Sequence, residues 1–182
     1  HEWNTVIEEK LVASPYRAEL ENRYGNLFFR IIEENLKVFS PEIKKEMVEE
    51  SELCNQYNEI TASARIELDG EVYNLSTLGK VAIDLDREKR KGAVTALYNF
   101  LGENAEEIDE IYDKLVKLRT QKARKLGFKN YTEFRYIEFG RIDYNEQDVE
   151  VFRKQVVDHV VPMVAELKKA QAKRLGLDKV MM

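Results

Sequence analysis

The chain has 182 residues, 43% hydrophobic and 35% charged, which is enough apolar material for a real core and unlike a disordered composition. A formal net charge of −5 speaks against the basic stripe of a nucleic-acid binder. No run of about 18 apolar residues occurs, so no membrane-spanning helix is predicted.

Only 8 Gly and 3 Pro punctuate the chain, so long uninterrupted elements are expected. Ser14-Pro15 reads as an N-cap followed by a first-turn proline. Leu20, Tyr24, Leu27, Phe28, Ile31, Ile32 and Leu36 then recur at helical spacing, predicting one helix up to about Phe39. Ser40-Pro41 repeats the start signal and opens a second helix to about Ala64, with Ile43, Met47, Leu53, Tyr57 and Ile60 near one face. Arg65–Leu68 and Glu71–Tyr73 flank Asp69-Gly70, a dipeptide suited to a type I′ turn, which predicts a hairpin with Ile66 opposite Tyr73.

Leu75–Ile83 reads as a connector, and a third helix is expected from Asp84 or Asp86 to about Leu101. Asn104 with Glu107 resembles a capping box for a fourth helix, whose apolar positions include Ile108, Ile111, Leu115 and Leu118 and which Gly127 closes. A short aromatic helix follows over about Asn130–Phe139. Asn145 with Asp148 caps the last long element, in which Val149, Phe152, Val156, Val160, Met163, Leu167 and Ala170 step like a bundle seam. Pro162 lies inside that run and should kink it, and Gly176 ends it. Gln121–Lys129 and Gln171–Lys179 look alike, which shared C-cap chemistry explains without an ancestral repeat. The expected fold is therefore all-α, with mainly antiparallel helices and one short β-hairpin around Asp69-Gly70, as a single domain or lobe over residues 1–182.

The chemistry-bearing residues are sparse. Cys54 is the one cysteine, so no internal disulfide can form and a reducing cytoplasmic setting fits; with no basic neighbour in sequence it reads as a buried, inert thiol. The two histidines, His1 and His159, cannot form the His-Glu-x-x-His pair that places two zinc ligands on one helix face, so neither a catalytic nor a metal residue is assigned. His159 reads as a seam-edge or surface residue. Glu103, Glu106, Glu107, Asp109, Glu110 and Asp113 read as a solvated face that complements a helix dipole, and Glu46, Glu49, Glu50 and Glu52 receive the same reading. One patch stands out. Phe128, Tyr131, Phe134, Tyr136, Phe139 and Tyr144 interleave with Arg135, Arg141 and Asp143, suitable either for packing a short helix or for touching a peptide.

Several stretches, in order, carry a resemblance: Tyr16–Gly25, Tyr57–Ala64, Asp86-Arg87 with Arg90, Ile111–Arg119, Ala123–Tyr131, Arg141–Tyr144, Val160–Pro162 and Arg174–Leu177. Together they resemble the oligoendopeptidase F branch of the thimet-oligopeptidase-like zinc metallopeptidases. The resemblance implies an all-α hydrolase that encloses a deep channel and cuts short peptides with zinc-activated water. It also implies that the zinc ligands lie in a C-terminal catalytic portion, so that zinc belongs to the full-length enzyme and none is expected in this chain. The start at His1 instead of Met, without a signal peptide, fits a fragment boundary. The chain then reads as an N-terminal wall of the channel, inactive alone, with Tyr136, Arg141, Asp143 and Tyr144 as the candidates to face substrate. Its expected partners are short peptides and the catalytic portion, with no nucleic acid and no membrane. The alternative is a stand-alone helical module that binds a protein through an apolar face; either reading allows self-association.

Overall fold

A proline-initiated turn, glycine-terminated helices and one tight hairpin organise the computed structural model, which describes residues 2–178 and 180. The expectations for His1 and Lys179 concern residues outside that set. The helices are α1 (Glu2–Val12), α2 (Arg17–Tyr24), α3 (Leu27–Val38), α4 (Lys44–Ala62), α5 (Leu75–Val81), α6 (Arg87–Glu103), α7 (Ala105–Lys125), α8 (Tyr131–Glu138), α9 (Glu146–Gln155) and α10 (Val161–Leu175). The strands β1 (Ile66–Leu68) and β2 (Glu71–Tyr73) pair antiparallel. Among the described residues the fold is mainly all-α with one hairpin.

Several boundaries follow the expected local chemistry. Ile66 pairs with Tyr73, and Asp69 and Gly70 both take positive φ, at 52° and 83°, as a type I′ turn requires. Asn145 and Asp148 form a reciprocal capping box on α9. Three helices end in the same way. Gly127, Gly140 and Gly176 take positive φ, and the residue after each donates its N–H five residues back: Phe128 to Ala123, Arg141 to Tyr136, Leu177 to Ala172. These are Schellman closures.

Elsewhere the helices depart from the periodicity. The run predicted from Ser14 to Phe39 is two helices, because Gly25 adopts φ 84° and ψ 163° and breaks it; that region is essentially glycine-only. A further helix, α1, precedes it. The expected connector at Leu75–Ile83 contains α5, capped by a box between Asn74 and Thr77. Asn104 does not cap α7; its Nδ2 donates to the Phe100 carbonyl and so closes α6 instead. Before Pro162 the helix widens into a π-helical stretch, Val156–Val160, with Val161 N–H bonding the Val156 carbonyl. Proline supplies no N–H and its ring crowds the carbonyl four residues back, a conflict that a wider turn relieves.

The described residues fall into two units, 2–38 with 132–178 and 180, and 39–131. In the second, Leu53 of α4 packs with Ile111, Leu115 and Leu118 of α7. The hairpin rests on α5 and α6 through Ile66, Leu78 and Ala93, so an isolated hairpin's marginal stability is made up by helix packing. In the first unit α1 packs against α3, and Phe29, Ile32 and Phe134 are buried. Among the described residues no helix is long and apolar enough to cross a membrane.

Candidate functional site

The aromatic patch singled out in the sequence divides by role. Phe134 is 1% exposed and is core. Tyr131 lies under two cations of α7. Tyr136, Phe139, Arg141 and Tyr144 gather where α8 ends, and the ending explains their arrangement. A Schellman closure brings the residue after the left-handed glycine back beside the residue five positions earlier. Here those two are Arg141 and Tyr136, and the Arg141 guanidinium stands 4.9 Å from the Tyr136 ring centre.

Arg141 also stands 5.2 Å from Phe139 and 6.0 Å from Tyr144, while Tyr136 and Tyr144 meet edge-on at 6.1 Å. Cation–π contacts of this kind contribute about 0.5–2 kcal/mol each. The neighbouring acids are engaged elsewhere. Glu138 is held by Arg135, which stacks on Phe139 at 3.8 Å. Asp143 pairs at 3.2 Å with Arg30, whose Nη2 also donates to the Ile142 carbonyl at 3.1 Å. Arg30 thereby ties this loop to α3. Among the described residues, no hydrogen bond or ion pair engages the Arg141 guanidinium.

Tyr136, Arg141 and Tyr144 are thus brought together, and Asp143 is turned to a different cation. Sequence reasoning missed Arg30, 112 residues from Ile142 and on a helix face with no distinguishing pattern. It also missed Gly140 as the organiser, although Phe139-Gly140 after a helical run is a readable C-cap signal.

A second polar cluster lies between α4 and α7. Glu50 accepts from Arg119 Nε at 2.7 Å and from Lys122 Nζ at 2.6 Å, and Glu46 accepts from Lys125. Cations three apart on α7 thus meet acids four apart on α4, with the two helices running antiparallel. Glu46 and Lys122 are each 3% exposed, which corrects the reading of Glu46 and Glu50 as a solvated face; Glu49 and Glu52 are exposed. The second Glu46 oxygen is buried and has no hydrogen-bond partner among the described residues. Cys54 is only half-buried, and Arg119 Nη2 lies 4.0 Å from its sulfur, so the basic neighbour absent from the local sequence arrives from α7. Hydrogen bonding from Lys125 holds the Glu46 carboxyl below its ordinary range. Burial pushes Glu50 up, but the hydrogen bonds from Lys122 and Arg119 outweigh it and leave that carboxyl low as well.

Among the described residues no three His, Cys, Asp or Glu side chains gather to hold a metal ion, and His159 is exposed on the π-helical stretch. No chemical step is assigned to these residues.

The model of peptidase family M3 matches residues 82–182, and that of the peptidase M3 N-terminal domain matches residues 1–39. The chain belongs to peptidase family M3. Among solved structures this M3 chain is similar to one from Bacillus anthracis str. Ames assigned as an oligoendopeptidase F. The identity is 43% and the TM-score 0.89, over 99% of this chain and 33% of that one. PZ peptidase A, solved with an inhibitor, is 42% identical with a TM-score of 0.87, over 96% and 31% of the two chains. A second structure assigned as an oligoendopeptidase F gives 39% and 0.88, over 96% and 31%. Among curated proteins no match is found. The M3 chain therefore spans about one third of the length of its solved relatives.

Proposed function

We propose that this chain is the N-terminal, channel-wall and substrate-access portion of a cytoplasmic zinc-dependent oligoendopeptidase that hydrolyses short peptides, and that it is inactive alone. The observation that carries the reading is 43% identity, across 99% of this chain and 33% of the other, to a structure assigned as an oligoendopeptidase F. In this reading a catalytic portion supplies the zinc and the activated water. This chain supplies walls and a peptide-facing surface at Tyr136, Arg141, Asp143 and Tyr144. Confinement between walls selects short, unfolded peptides, because a folded protein is too wide to enter.

Two measurements test it. The purified chain is expected to leave a quenched fluorescent peptide intact; cleavage that a zinc chelator abolishes would sink the proposal of inactivity. The parent reading frame is expected to encode a His-Glu-x-x-His helix beyond Met182. A stop codon directly after Met182 would instead favour a stand-alone interaction module, for which the exposed apolar side chains of α9 and α10 are suitable.

A further inference from the structure

The Arg141 guanidinium is a cation that has been oriented but not neutralised. The ring centres of Tyr136, Phe139 and Tyr144 lie 4.9–6.0 Å from it, and the Schellman closure at Gly140 fixes its backbone beside Tyr136. The two carboxylates nearest in sequence have other cations, Arg135 for Glu138 and Arg30 for Asp143. The tyrosine hydroxyls of the same cluster, on Tyr136 and Tyr144, likewise form no hydrogen bond among the described residues. Phe139 and Tyr144 are about half exposed, so the cluster is open to a ligand.

A guanidinium held by aromatic contacts presents N–H donors in a rigid fork that matches a carboxylate's two oxygens. The rings beside it would take up an apolar side chain adjoining that carboxylate. We propose that Arg141 anchors the carboxylate of a short peptide, with Tyr136, Phe139 and Tyr144 as the platform for the neighbouring side chain. This rests on the peptide-channel reading and names what the channel surface recognises. The carboxylate could come from the peptide's C-terminus or from an Asp or Glu side chain, and the experiment separates the two.

The test is a titration of the intact chain, followed through the arginine Nε–H resonances, with three peptides. These are acetyl-Ala-Ala-Ala-Ala-Phe as the free acid, the same peptide as its C-terminal amide, and acetyl-Ala-Ala-Ala-Asp-Phe amide. The free acid is expected to shift the Arg141 resonance and to bind at least about tenfold more tightly than the neutral amide. Arg141→Gln should remove that difference. Arg141→Lys keeps the charge without the fork and should retain part of it, which guards against a folding defect in a single variant. Recovery of binding by the Asp-containing amide identifies a side-chain carboxylate as an accepted source; its failure restricts the site to the C-terminus.

Equal binding of acid and neutral amide would overturn the carboxylate anchor while leaving a peptide-facing wall intact. Acetate alone shifting Arg141 as strongly as the free acid at the same concentration would also overturn it, as a site for any anion. So would the absence of any shift at these residues, while the peptidase reading would still stand or fall on the sequence beyond Met182.

Discussion

Glu50 holds Arg119 and Lys122 at once, with side-chain exposures of 16% for the acid and 4% for the lysine, so little solvent weakens the attraction. Removing one partner of a buried pair costs about 3–5 kcal/mol because the other charge is left in a poor solvent. Glu50→Ala is therefore expected to lower stability by about 3 kcal/mol at neutral pH, the low end of that range, since Tyr131 still faces both cations. Glu46 and Glu50 both titrate below their ordinary range. A carboxyl lowered on folding adds stability above its unfolded value, about 4.3, and loses it as the pH falls through the folded value. Urea midpoints should thus be level from about pH 7 to 5 and drop below about pH 4, with a shallower drop in Glu50→Ala. Identical acid profiles for parent and variant would show that Glu50 contributes nothing to the acid dependence. The reading of Glu50 as solvated failed because its partners lie 69 and 72 residues away.

Gly25 decides at the level of elements whether the segment after Ser14 is one helix or two. Its backbone sits at φ 84° and ψ 163°, yet a Cβ there would meet nothing within 4 Å. The cost of Gly25→Ala is therefore purely conformational, about 1–3 kcal/mol, and chemical denaturation should show a loss in that range. An unchanged midpoint, accompanied by more helix in circular dichroism, would mean that α2 and α3 had fused into the continuous helix that the apolar spacing suggests. Apolar period and caps were legible at several places where the signal is local: the hairpin turn, the α9 capping box, and the glycines after α7 and α10. Asn104 was misread because the same side chain can serve the end of one helix or the start of the next. Only the Phe100 carbonyl within its reach settles the choice.

For the molecule as a whole, the residues read as a bundle seam along the last element lie largely exposed. Phe152 is 64% exposed and Leu167 62%, with Val160 and Met163 also open. Monomeric proteins rarely leave such a surface bare. The chain spans about a third of its solved relatives, so partners for this face are expected from the remainder of the peptidase, a proposal consistent with the channel-wall reading. In isolation the chain is expected to self-associate with rising concentration in sedimentation velocity. Phe152→Lys with Leu167→Lys should shift the distribution toward monomer. A parent chain that stays monomeric at high concentration would argue that the face is satisfied without a partner.

The amino-acid sequence by itself determined the helical class, the hairpin with its register, most helix ends and the family resemblance. Each of these depends on residues within about five positions of one another or on ordered short motifs. Tertiary structure alone decided which charges are buried, that Arg119 reaches Cys54, and that Arg30 takes Asp143 and leaves Arg141 to its aromatic platform. Those outcomes depend on which helix faces meet, and no local pattern encodes the partner of a charge that lies 65 or 112 residues away.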